Sequence, residues 1–149
     1  MNPFETLQID PIRYDLSEET LLHHYHTLMR TFHPDKFLTK AEQEHALIMC
    51  GAINTAYEQL KDPVERAAII LKILYGTDIS TLTLSSDLLE ACLACYDSLS
   101  QEVPYQRFLE AQNIFIQTPH QKEKEDAFLI MKYLQKLLIG ISNEVQTSS

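Results

Sequence analysis

His33-Pro34-Asp35-Lys36-Phe37 sets an imidazole, a carboxylate and an ammonium side by side around a proline. Groups of this kind can exchange a proton, hold a turn together, or present charge to a partner. Proton chemistry would need companions: the chain offers no nucleophile beside the histidine, no glycine-built anion site and no second titratable cluster, so it reads as a non-enzyme. For an isolated His-Pro-Asp the simpler reading is a turn histidine and a turn-capping carboxylate. Presentation to a partner becomes the better reading when rigid elements hold the corner up, so the flanks decide. Two other sets of residues could hold a metal. His23 and His26 share a helix face, His24 points elsewhere, and a closed zinc site wants four converging ligands. These read as surface histidines, with no metal and no cofactor. Cys92 and Cys95 have redox or metal-ligand spacing, yet a single pair carries little information and cysteine is among the most buried residue types. Both read as core.

The elements on either side of the corner are legible. Leu21, Leu22, Tyr25, Leu28, Met29 and Phe32 recur at helical spacing. Ser17 is placed to cap that helix, and Glu18 and Glu19 put negative charge on its first turn, where the helix dipole favours it. Pro34 pushes His33 out of the helical region and stops the run. Thr39-Lys40-Ala41-Glu42 reads as a capping box opening a second helix, with Leu47, Cys50, Ile53, Tyr57 and Leu60 on its apolar face. Asp62 as cap and Pro63 at the first helical position restart the helix. Val64, Ala67, Ala68 and Leu71 continue the stripe to a stop at Gly76. Two helices, or one long helix with a kink, both satisfy this pattern. Either way the His-Pro-Asp corner joins two amphipathic helices of a hairpin, and the bland reading of the tripeptide gives way.

From Gly76 to Ser86 the composition shifts to Thr, Ser, Asp and Gly, which predicts a linker. Three helical segments follow. Asp87 to Ser100 carries Leu88, Leu89, Cys92, Leu93, Tyr96 and Leu99. Pro104 to Gln117 carries Phe108, Ala111, Ile114 and Phe115. The last starts at Thr118-Pro119-His120-Gln121 and runs through Phe128, Met131, Leu134, Leu137, Leu138 and Ile141, before a polar tail from Gln146 to Ser149. No strand pattern competes, and with 3 glycines the chain is poorly supplied for the tight turns of a sandwich or barrel. The expectation is an all-α protein: an N-terminal domain over 1–75, a linker over 76–86 and a C-terminal three-helix bundle over 87–149.

A net charge of −9 argues against nucleic-acid binding, which needs a basic face to displace counterions, and against an anionic membrane surface. No apolar run reaches the roughly 18 residues of a membrane-spanning helix. The N-terminus lacks the pattern of a secretory signal, and Glu5 and Asp10 fit poorly with a mitochondrial transit peptide. The 3 cysteines do not suggest a disulfide framework, so a cytoplasmic setting is expected.

With His-Pro-Asp at the tip of a helical hairpin, the chain resembles the DnaJ family. Arg13-Tyr14-Asp15-Leu16, Phe37, Ile53-Asn54-Thr55-Ala56-Tyr57-Glu58-Gln59-Leu60, Asp62-Pro63 and Arg66-Ala67 are similar to the HscB type of J-domain protein. So are Leu71 to Gly76 and a helical bundle in place of a Gly/Phe-rich or zinc-finger region. The zinc-binding cysteine extension of some eukaryotic relatives is absent. The resemblance implies a co-chaperone that stimulates the ATPase of a DnaK-type chaperone, HscA, and delivers to it the iron–sulfur scaffold protein IscU. It implies chaperone contacts at His33, Pro34, Asp35 and Lys36, and at Tyr25, His26, Thr27 and Arg30 on the preceding helix. It implies client contacts at Leu89, Leu93, Asp97 and Tyr133, and a one-residue shift of alignment would bring in Glu90 or Cys92. Many J-domains carry several Lys/Arg on the first long helix, whereas this one offers Arg30 and the histidines His23, His24 and His26. The competing readings are a J-protein with another client and a small His/Cys metal-binding protein.

Overall fold

Capping chemistry sets where the helices begin. The structure, a computed structural model, describes residues 1–96 and 102–147. Seven α-helices and two single 3-10 turns occur among the described residues, with no strand, so the chain is all-α.

Helix α1 (Pro3–Thr6) opens on a capping box in which the Asn2 side chain accepts from the Glu5 N–H and Glu5 accepts in return from Asn2. Helix α2 (Glu18–Thr31) starts at Ser17, whose Oγ accepts from the Thr20 N–H at 3.1 Å. It ends with Phe32 as its cap, two residues before Pro34. Helix α3 (Lys40–Lys61) carries the Thr39–Glu42 capping box. Asp62 then leaves the helical region with ψ 120° and accepts from the N–H groups of Val64 and Glu65. The chain restarts as α4 (Pro63–Tyr75), so two helices rather than one kinked helix occupy this stretch. Gly76 has φ +65° and its N–H donates to the Lys72 carbonyl, an αL cap that a side chain would strain. Beyond a 3-10 turn at Ile79–Thr81 come α5 (Ser86–Tyr96), α6 (Glu102–Gln117) and α7 (Gln121–Thr147). Helix α7 runs through Gln146 to Thr147, where the sequence suggested a polar tail. Asp97, Leu99 and Ser100 lie outside the described residues, as do the side chains of Tyr96 and Ile141.

The chain divides into two compact units, Met1–Arg66 and Ala67–Ser149. In the first, α1 and α2 both pack on α3. Its core is Phe4, Leu7, Tyr14, Leu16, Leu21, Leu28, Ala46, Cys50, Ile53, Ala56 and Leu60. The α3 stripe is rotated from the expected one, because Ala46 and Ala56 face inward and let the helices approach closely, while Leu47 is 60% exposed. In the second unit, α6 and α7 form an antiparallel pair and α5 packs against both. Phe108, Ala111, Phe115, Ala127, Phe128, Met131 and Leu134 are buried. Ile114, expected in the stripe, is exposed. Lys124 crosses from α7 to the Phe115 carbonyl, with its ammonium 4.9 Å from that ring, and so satisfies a carbonyl at the end of α6.

Candidate functional site

The corner between α2 and α3 is a built structure rather than a slack loop. Pro34–Lys36 is one 3-10 turn with Pro34 at its first position, where the missing N–H costs nothing. His33 caps that turn: its Nδ1 accepts from the Asp35 N–H at 3.3 Å, and its carbonyl accepts from the Lys36 N–H at 3.0 Å. Accepting at Nδ1 requires the tautomer with the proton on Nε2. The Asp35 carboxylate stands 3.6 Å from the same nitrogen and is the partner that a protonated ring would take instead. Both flanks are fastened to α3. The Gln43 amide donates to the Phe37 carbonyl at 2.9 Å, and the Cys50 thiol donates to that of Phe32 at 3.4 Å. What the corner offers outward is the Asp35 side chain, 90% exposed, together with exposed Lys36. A carboxylate on a rigid, solvent-facing turn can accept charge-assisted hydrogen bonds from an incoming guanidinium without reordering its own loop.

On α2, His26, Thr27 and Arg30 are exposed and Tyr25 is half-buried. The Tyr25 hydroxyl donates to Asn54 Oδ1 at 2.7 Å, its ring stacks on Tyr57 at 4.5 Å, and His26 leans on it at 5.5 Å. Of the other histidines, His23 is exposed, whereas His24 donates from Nδ1 to the Leu7 carbonyl at 2.9 Å and ties α2 to the segment after α1. Sequence reasoning did not find that tie, nor the position of Arg66. Its guanidinium donates to the carbonyls of Leu60 at 2.7 Å and Tyr14 at 2.9 Å and lies over the Tyr14 ring. Desolvation by burial lowers the Arg66 pKa, opposed by Tyr14 and Asp62. Tyr14 and Arg66 were part of the sequence resemblance; the fold brings them together across 52 residues.

In the second unit Leu89 and Leu93 are 40% and 47% exposed, four residues apart on one side of α5. Tyr133 is half-buried on α7, which packs against α5. Asp97 lies outside the described residues. Cys92 and Cys95 are buried, and burial first and the neighbouring Cys95 second push the Cys92 thiol up, with Arg107 opposing. They line a small cavity of about 90 Å³ with Ala91, Arg107, Ala111 and Leu134. Among the described residues no helix is long and apolar enough to cross a membrane, and no three His/Cys/Asp/Glu side chains come together as metal ligands would.

Comparison with known proteins agrees with this geometry. The DnaJ domain family model matches residues 2–69. The co-chaperone protein HscB homolog of Neisseria meningitidis serogroup C is 42% identical over 71 residues, 46% of this chain and 42% of the relative. That of Shewanella amazonensis is 40% identical over 81 residues, 53% of this chain and 45% of the relative. The matched segments thus span less than half the length of these curated relatives. Chaperone HscB from Vibrio cholerae superposes over 100% of both chains with a TM-score of 0.79 at 21% identity. The human co-chaperone protein HscB superposes over 97% of this chain and 84% of its own, with a TM-score of 0.66 at 18% identity. At those identities the two structures speak for a shared fold along the chain.

A helical hairpin with His-Pro-Asp at its tip, matched by the family model over residues 2–69, defines a J-domain protein. Within that class the hairpin is similar in sequence to curated HscB co-chaperones, and the fold of the chain is shared with solved HscB structures.

Proposed function

We propose that this protein is a co-chaperone of iron–sulfur cluster assembly. Its J-domain docks on the ATP-bound form of a DnaK-type chaperone, HscA, and triggers ATP hydrolysis there, while its C-terminal helices deliver the scaffold IscU. The observation that carries the reading is the corner itself: His33 and Pro34 build a fixed turn whose outward product is the Asp35 carboxylate, 90% exposed. On this reading Asp35 accepts from an arginine of the chaperone, Pro34 fixes the corner, His33 orients it and Lys36 adds a contact. Tyr25, His26, Thr27 and Arg30 supply the docking face of α2. Leu89, Leu93, Asp97 and Tyr133 supply the scaffold-binding face, supported by two leucines left about half exposed on α5. The division of labour follows a J-domain over 1–75, a linker over 76–86 and a client-binding bundle over 87–149, and the setting is cytoplasmic. The chain acts through its partner's ATPase and brings no catalytic group of its own.

Steady-state ATPase turnover of the cognate DnaK-type chaperone tests the reading, measured with the full chain and with or without scaffold. Stimulation by the chain alone, raised further by scaffold, is the expected result. No stimulation under either condition contradicts it.

A further inference from the structure

The α2 face that the proposed function assigns to docking is short of cations, since Arg30 is its one lysine or arginine. The chain as a whole carries −9, so an acidic partner surface is approached against repulsion unless charge is gathered locally. The structure adds one cation to this face from the neighbouring helix. Tyr57 of α3 stacks on Tyr25 of α2 with centroids 4.5 Å apart and planes 28° from parallel, and both rings are half-buried rather than enclosed. Lys61, one turn further along α3, places its ammonium 5.7 Å from the centre of the Tyr57 ring. Asn54, one turn back, accepts from the Tyr25 hydroxyl at 2.7 Å and fixes that ring.

Helix packing alone does not call for this arrangement. Leu21 and Leu28 of α2 and Cys50, Ile53, Ala56 and Leu60 of α3 are already buried in the core of the first unit. A half-buried tyrosine pair with the Lys61 ammonium beside it has the composition of a binding hot spot, in which rigid aromatic rings give contact area at small entropic cost.

We propose that the docking face is composite: Tyr57 and Lys61 of α3 extend it beside Tyr25, His26 and Arg30, with Asn54 as the residue that positions Tyr25. The partner patch it fits is acidic, with an apolar spot that receives the two rings. The inference rests on docking to a DnaK-type chaperone as proposed above and names residues on a second helix for it.

The test is binding of the full chain to the ATP-bound DnaK-type chaperone by stopped-flow and equilibrium titration at two salt concentrations. A charge at the rim of an interface acts mainly on association rate and salt dependence. Lys61→Gln is therefore expected to slow association about 3-fold at low salt and to flatten the salt dependence, with Lys61→Arg restoring both. Tyr25→Phe and Asn54→Ala are each expected to weaken binding about 3-fold, and the double variant no further, because one hydrogen bond is lost in all three. Melting temperature measured on the same samples separates positioning from loss of fold. Wild-type binding by Lys61→Gln, or additive losses at Tyr25 and Asn54, overturns the composite face while leaving the J-domain reading intact if His33→Gln still abolishes ATPase stimulation. Failure of the wild-type chain to bind overturns both.

Discussion

Truncating Leu93 to alanine separates a client surface from a core, because the structure leaves that side chain 47% exposed. Fully burying a leucine is worth about 1.5–3 kcal/mol, so the half buried by the fold contributes roughly 1 kcal/mol to stability. The exposed half offers a partner about the same again, or roughly a 5-fold change in Kd. Leu89 is 40% exposed on the same side of α5, so the Leu89→Ala/Leu93→Ala double variant should weaken scaffold binding by about 2 kcal/mol, roughly 30-fold. Leu134→Ala is the control for true core. That side chain is 1% exposed, and its loss should cost about 2–5 kcal/mol of stability. Urea unfolding and calorimetric titration with scaffold belong on the same samples. If Leu93→Ala destabilises as much as Leu134→Ala, the residue is core. If the double variant stays folded and binds scaffold like the wild type, the assigned surface is wrong.

Three further outcomes follow from the geometry. Arg66→Lys keeps the charge but cannot reach the Leu60 and Tyr14 carbonyls with one planar fork, so urea unfolding should show a loss of about 1–3 kcal/mol; an unchanged midpoint would refute the bridge. The Glu42 carboxyl is held below its ordinary 4.5 by hydrogen bonds from the Thr39 backbone and hydroxyl. A lowered folded-state pKa gives stability that is present above the unfolded value and lost as pH falls through the folded one. Melting temperature should therefore drop on the acid side of 4.5 and do so less steeply in Glu42→Gln, whereas equal slopes would remove the capping role. Cys50, Cys92 and Cys95 are all buried, so Ellman's reagent should react slowly with the native protein and quickly in urea; a fast native thiol would contradict their placement in the core.

Local chemistry was the legible part of this chain. Ser17, the Thr39–Glu42 pair, Asp62-Pro63 and Gly76 each act within four residues of their own position, and each stands where its residue type predicted. The same chemistry lies in Asn2-Pro3-Phe4-Glu5, which opens α1, a helix of 4 residues and so too short to show an apolar period. What the sequence could not display are partners chosen by folding. Tyr25 finds Asn54 across 29 residues, His24 finds the Leu7 carbonyl across 17 and Arg66 finds Tyr14 across 52. Helix phase is the other gap. Apolar residues cover more of α3 and α6 than one seam can bury, so periodicity alone did not tell that Leu47 and Ile114 face outward while Ala46 faces inward; Cys92 and Ala111, expected in the core, are buried.

The most direct test of the central claim compares wild type and Asp35→Asn in chaperone ATPase turnover, alongside circular dichroism and melting temperature. Asp35 is 90% exposed, and the turn is held by its backbone N–H and by His33 rather than by its carboxylate, so the substitution should leave helical content unchanged and stability within about 0.5 kcal/mol of wild type. ATPase stimulation should nevertheless fall to the basal rate of the chaperone alone. A folded Asp35→Asn variant that stimulates as well as wild type would contradict the account.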